Sequence, residues 1–375
     1  MKKLGLIAII CMLFLPKIVA QTRNGITTAM PFLLIVPDAR AGGMGDVGVT
    51  TSADANSLFH NPSKIAFASR EVMVGINYSP WLRNLVDDIF IGGASYIKRT
   101  SENAAWGVDF RYFSLGKIEL NEVGPSGQII DLGTINPNEL AISGTYAMKL
   151  SETYSMGVSL KYIRSNLAFT GVAANDINPI NSFGVDISGY YQSEEENYGT
   201  FNGRYRLGFN IANIGPKVSY VPGEEDFIPT NLKLGGSFDF ILDDYNVIST
   251  NIEFTKLLVP TPQPDGSDQN QSWISGMFSS FGDAPGGFSE EIREFTYAIG
   301  AEYLYNNAFA LRGGYFNESE IKGNRQYFTL GAGFKTNALN IDLSYLMNAS
   351  DVNNPLENSL RFSLSFDLGE LYEEY

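Results

Sequence analysis

The chain predicts an all-β fold, a 14-stranded antiparallel transmembrane β-barrel with an N-terminal periplasmic plug segment, and three observations carry that expectation. A short apolar stretch behind Lys2 and Lys3 marks the chain for export. Past it, segments of roughly nine to eleven residues alternate polar and apolar side chains, long enough to cross a bilayer when tilted. The composition holds 38 Gly, 20 Tyr and 25 Phe at a mean hydropathy of −0.06. That is the blend of a sheet showing one face to lipid and the other to water.

Residues 1–20 read as a signal peptide, with Lys2 and Lys3 at its start, an apolar run from Leu4 to Leu15, and Pro16 ending it. Cleavage is expected between Ala20 and Gln21, the small residue preceding the cut. Cys11 lies inside the run, with Ile10 where a lipoprotein signal needs a small residue. The mature chain then holds no cysteine, which excludes disulfides, thiolate metal sites and cysteine nucleophiles. Removing Lys2, Lys3 and Lys17 from 26 basic residues leaves 23 against 41 acidic, a formal charge of −18. Nucleic acid needs a basic footprint and is not an expected partner.

Residues 21–70 are rich in Gly and Ala, with an apolar stretch at Phe32 to Val36, and are expected to plug the lumen. His60, the only histidine, stands beside Asn61 and Pro62. With no second histidine and no adjacent nucleophile, it reads as a packing or turn residue rather than a base or metal ligand. Gly42, Gly43 and Gly45 lack the Lys-Ser/Thr pair and βαβ context of a phosphate loop, and read as turn glycines. No catalytic set, metal or cofactor is expected.

Residues 71–368 carry the barrel. Trp106, Val108, Phe110 and Tyr112 share one face, with Gly107, Asp109 and Arg111 between them. The same reading gives strands at 71–79, 88–98, 104–115, 139–150, 153–165, 181–192, 203–212, 231–242, 246–257, 294–305, 308–316, 326–335, 338–347 and 358–368. An even count lets the last strand return beside the first. Connections at Thr100 to Asn103, Ser151 with Glu152, Asp243 to Tyr245, Asn306 with Asn307, and Thr336 with Asn337 are tight and expected on the periplasmic side. The longer connections, 116–138 and 258–293 among them, are expected outside the cell. Ser193 to Asn202 is a longer turn whose Glu194, Glu195 and Glu196, like Glu370, Glu373 and Glu374 of the 369–375 tail, read as solvated acid. Asp109, Arg111, Lys161, Asp186, Arg204, Arg206 and Asp239 belong on the lumen face, since a Lys or Arg at mid-depth on the lipid face costs about 2–4 kcal/mol.

In the longest outer loop, Pro260, Pro262 and Pro264 lead to Trp273, Ile274, Met277, Phe278 and Phe281, spaced as one helical face. Gly276 and neighbouring serines weaken that helix, so it needs a surface to bury against. Either it closes over the barrel's own mouth, or it docks a partner. Trp81, Leu82 and Leu85 of the first outer loop would extend the same surface.

Pro31-Phe-Leu-Leu-Ile35, Pro37-Asp-Ala-Arg-Ala-Gly-Gly-Met-Gly45, Ser52-Ala-Asp-Ala-Asn-Ser57, Asn61-Pro62 and Ser79-Pro-Trp-Leu-Arg-Asn-Leu85 together resemble the PorV (LptO) family. Its members are type IX secretion system outer-membrane proteins of the FadL-like barrel superfamily. Asp38, Arg40, Gly42, Gly43, Gly45, Asp54, Asn56, Asn61 and Pro62 carry the likeness in the plug. Ser63 departs from the superfamily's Asn-Pro-Ala. The resemblance implies a non-enzymatic shuttle that binds the C-terminal signal domain of secreted cargo at the translocon and delivers it to the surface sortase/attachment complex. The implied partners are the type IX translocon, that complex, cargo C-terminal domains and outer-membrane lipid. The alternative is a FadL-like channel for fatty acids or other hydrophobic small molecules.

Overall fold

The computed structural model describes residues 25–80, 88–124, 126–167, 179–350 and 358–372. Fourteen long strands form one sheet: β1 (Arg70–Pro80), β2 (Ile89–Arg99), β3 (Ala104–Leu115), β4 (Asn138–Lys149), β5 (Tyr154–Asn166), β6 (Ile180–Gln192), β7 (Asn202–Ile214), β8 (Asn231–Ile241), β9 (Asn246–Leu257), β10 (Thr296–Tyr305), β11 (Phe309–Asn317), β12 (Gln326–Lys335), β13 (Leu339–Asn348) and β14 (Leu360–Leu371). Each pairs antiparallel with its sequence neighbours, and β14 returns to β1 with Tyr78 opposite Phe362 and Val72 opposite Leu368. Closure removes the sheet edge, whose unpaired N–H and C=O groups hydrocarbon cannot satisfy. The strands fall within a few residues of those expected from the alternation.

The period of two sorts side chains as lipid and lumen require. In β3, Trp106, Val108 and Phe110 are exposed on the outer face, while Gly107, Asp109 and Arg111 are buried inside. Leu160, Phe183, Leu311 and Leu330 continue the apolar exterior. Aromatic groups ring both rims: Tyr78, Phe90 and Tyr112 at one end, Tyr191 with Tyr205 and Phe309 with Phe334 at the other. Such rings suit the interfacial zones of a bilayer. Among the described residues, no helix is long and apolar enough to cross a membrane.

Three features depart from the sequence expectation. The 116–138 connection contains an antiparallel hairpin, Ile118–Val123 against Ile129–Ile135. The acidic turn after β6 folds back, pairing Glu196 and Asn197 with Gly203 and Asn202, and stacks Tyr198 on Phe201 at 5.4 Å. Strand β7 runs two residues further than expected through an irregularity between Ile211 and Ile214, where Asn213 adopts φ 59°. That backbone is rare outside glycine. It is held because the Asn213 N–H donates to Asp186 Oδ1 at 2.7 Å and Lys161 Nζ donates to Asn213 Oδ1 at 2.6 Å.

Candidate functional site

The N-terminal segment packs on the inner face of the strands, and the residues that carry the family resemblance make the contacts. Asp38 caps a one-turn helix, Ala39–Gly42, by accepting from Ala41 N–H at 2.8 Å. Its other oxygen meets His60 Nε2 at 2.6 Å, both residues buried. Burial pushes the Asp38 carboxyl up, but His60 and the cap outweigh it and hold it at about 2. Arg40 links Asp54 and Glu302 of the wall, each at 2.8 Å. Asp46 pairs with Arg361 and accepts from the Tyr327 hydroxyl at 2.6 Å. Asn56 accepts from Asn77 Nδ2 at 2.8 Å, and Asn61 donates to Val49 O and Gly189 O at 3.0 and 3.1 Å. Pro62 opens a 3₁₀ turn, Pro62–Phe67, at a position where a missing N–H is harmless.

The glycines serve close approach more than turning. Gly42 ends the helix against Arg361 and Ser344, and a Cβ on Gly43 would lie 2.9 Å from the Cα of Gly331. Only Gly45 takes a positive φ, 73°, where it presses on the Tyr315 backbone. Lys64 is wholly buried and donates to Gly48 O and Thr51 Oγ1, both at 2.8 Å. Burial, only partly offset by Asp54, lowers its ammonium to about 8.

The lumen charges expected from the alternation do face inward, and the wall matches several of them. Lys161 meets Asp186 at 3.0 Å and Arg206 meets Asp239 at 2.5 Å. Arg111 donates to Leu33 O at 2.6 Å, Asp109 accepts from Ser143 at 3.2 Å, and Arg204 stands 3.9 Å from Glu195. A cavity of about 560 Å³ remains between Phe32, Ile35 and Val36 on one side and Lys233, Glu253 and Arg361 on the other.

Beyond the strand ends, the 258–295 connection builds two short helices, Trp273–Ser279 and Phe288–Arg293. The first packs through its smallest residue, since Gly276 lies against Pro260 and Phe227. Its large side chains therefore stay outside: Ile274 is 52 % exposed, Phe278 73 % and Phe281 49 %, whereas Trp273 and Met277 are half-buried. The five do not share one face. On the second helix Phe288, 80 % exposed, and Ile292, 54 %, are likewise uncovered. Sequence reasoning missed this pair, although its i, i+4 spacing after Gly286 and Gly287 was the available signal. The second helix is anchored by Lys256, fully buried, which meets Glu291 at 2.7 Å and Glu294 at 2.6 Å. Lys322 meets Glu290 and Glu294 at 2.7 and 2.9 Å. Asp283, Glu291 and Glu294 converge closely enough to suggest a cation site, but these two ammonium groups sit among the carboxylates. Trp81, Leu82, Leu85, Ala20, Gln21, Glu373 and Glu374 lie outside the described residues.

A closed barrel with an apolar exterior, aromatic rims and a charged interior defines the class: an outer-membrane β-barrel. The family model described as type IX secretion system protein PorV matches residues 18–264, more than half of the chain. The chain belongs to the PorV family of type IX secretion system proteins. Among solved structures it is similar to the Pseudomonas putida toluene transporter TodX, with 11 % identity, 90 % of this chain and 99 % of that one covered, and a TM-score of 0.52. The CymD monoaromatic hydrocarbon channel gives 14 % identity, 90 % and 99 % coverage, and a TM-score of 0.51. A Pseudomonas aeruginosa FadL homologue gives 10 % identity, 92 % and 99 % coverage, and a TM-score of 0.46. At such identities the likeness is one of fold alone. No curated protein matches the chain.

Proposed function

We propose that this protein is a non-enzymatic shuttle. It binds the C-terminal signal domain of secreted cargo at the outer membrane and delivers it to the surface sortase/attachment complex. Family membership supports the secretion role. The observation that carries the binding role is the set of exposed apolar side chains Ile274, Phe278, Phe281, Phe288 and Ile292 in the connection beyond the strand ends. Apolar side chains kept outside both lipid and core mark a contact surface. Trp81, Leu82 and Leu85 are proposed to widen it. Both termini are placed on the periplasmic side, residues 21–70 act as the plug, and the signal peptide is removed before Gln21. Serine at Ile274, Phe278 and Phe288 is expected to leave barrel assembly and heat stability intact and to abolish capture of a cargo C-terminal domain by the purified protein. Undiminished capture sinks these side chains as the dock.

The second reading, a channel for fatty acids or other hydrophobic small molecules, draws on the lumen cavity. Against it stand the charges on the cavity wall and the many polar contacts that tie the N-terminal segment to that wall. Deletion of the gene separates the two. The shuttle reading expects failed cargo display with normal long-chain fatty acid uptake, and the opposite pattern supports the channel.

A further inference from the structure

The hairpin between β3 and β4 belongs to no barrel strand. Among the described residues, Ile118–Val123 and Ile129–Ile135 pair only with each other, Ile118 opposite Ile135 and Val123 opposite Ile129. Its end is hydrogen-bonded, with Gly124 N–H donating to Gln128 O at 2.8 Å and Gly127 N–H to Gly124 O at 2.9 Å. A lone two-stranded hairpin is marginal in water because it buries little apolar surface. This one also leaves apolar side chains uncovered: Val123 is 73 % exposed and Ile129 75 %, with Ile130 and Leu132 exposed beside them.

The second strand has an undefended edge. Native sheets usually blunt an edge with Lys, Pro or a covering segment. Residues 129–135 read Ile-Ile-Asp-Leu-Gly-Thr-Ile, with no Lys or Pro and a single charge. Because Gly124 and Gln128 form a hydrogen-bonded pair, the alternation of an antiparallel ladder turns the N–H and C=O of Ile129 and Asp131 outward. A row of main-chain donors and acceptors at two-residue spacing is matched by another extended strand, and by no lipid tail or small solute.

We propose that Ile129–Ile135 is an acceptor edge to which an extended strand of the cargo's β-domain is added. The inference rests on the shuttle reading above and names a second contact for it. A second copy of this chain fits poorly. Edge-to-edge pairing would bring Asp131 near its counterpart, between chains that each carry a formal charge of −18 once the signal peptide is removed. The incoming strand is instead apolar at alternate positions and basic where it passes Asp131.

The test uses the full-length protein in detergent and an isolated cargo C-terminal β-domain, read by hydrogen exchange and by a binding titration. Binding is expected to slow amide exchange across 129–131. Ile129→Pro, which removes an outward N–H without touching the hairpin's own bonds, should weaken binding roughly tenfold, the loss of about one hydrogen bond. Ile129→Val should bind as the unaltered protein does. If the domain binds with exchange in 118–135 unchanged and with Ile129→Pro unimpaired, the edge is not used, and the shuttle reading survives alone. If the unaltered protein captures no domain, both fall. Slow exchange before any domain is added, with or without dimers in sedimentation, means the edge is already covered and overturns the inference.

Discussion

His60 Nε2 meets Asp38 Oδ2 at 2.6 Å inside the barrel, with the two side chains 3 % and 1 % exposed. The contact joins the start of the Ala39–Gly42 helix to the Asn61-Pro62 turn, so it ties two stretches of the N-terminal segment together. Replacing His60 with Ala leaves a buried carboxylate without its partner, which costs about 3–5 kcal/mol. The expected result is a lower unfolding temperature in detergent, with the strand content of the folded barrel unchanged by circular dichroism.

Acid should act on the same pair. A carboxyl held at about 2 when folded, against 3.8 when unfolded, stabilises the fold above pH 3.8. That contribution, roughly 2 kcal/mol for a buried group, is lost as pH falls from about 3.8 towards 2. Asp38→Asn should flatten the acid limb of the stability profile by that amount.

Lys64 gives the opposite limb. Its ammonium titrates at about 8 when buried and at 10.5 when unfolded, so the unfolded chain holds the extra proton between those values. Stability should therefore rise as pH climbs from 8 to 10.5. Lys64→Met removes the rise, and thermal melts at pH 7, 9 and 10 in parallel with the unaltered protein measure it.

At the loop end, Lys256 is the only described cation that touches both Glu291 and Glu294. Lys256→Ala leaves buried Glu291 without its ammonium partner and Glu294 with Lys322 alone. Local opening of the Phe288–Arg293 helix is expected, at a cost of about 3 kcal/mol or more. Limited proteolysis should cut within 258–295 in the variant while the barrel strands stay protected.

Much of this architecture was legible because lipid enforces a strict period. Trp106, Val108 and Phe110 can face only outward, and Asp109 and Arg111 only inward, so strand count and register followed from alternation. Gly43 shows where the sequence is ambiguous. A glycine for turning and a glycine for close approach look alike until Gly331 is found opposite it, 288 positions along the chain. The hairpin at 118–135 was hidden for a related reason. Its turn residues, Gly124 and Gly127, resemble those of any long loop, and its strands have no lipid face to impose a period. In the outer helices the spacing of Trp273, Ile274, Met277, Phe278 and Phe281 revealed a helix but not its orientation. Gly276 against Pro260 decided that, because a helix can approach closest through the residue without a side chain.

Orientation in the membrane is the last expectation to be tested. The longest connections, 116–137, 215–230 and 258–295 among them, leave one end of the barrel, and the tight ones at 100–103, 150–153, 242–245, 306–308 and 336–338 leave the other, together with the acidic turn at 193–201. Long connections outside and short ones in the periplasm is the rule for such barrels, because the periplasmic turns are the short ones. Ser267 is exposed in a long connection and Asn306 is exposed in a short one. The sequence has one cysteine, Cys11, within the expected signal peptide, so an introduced thiol meets no background in the processed chain. Ser267→Cys should react with an impermeant maleimide on intact cells, and Asn306→Cys should react only after the outer membrane is opened. The reverse pattern would place the exposed Phe278 and Phe288 in the periplasm, where they could not meet a sortase complex at the cell surface.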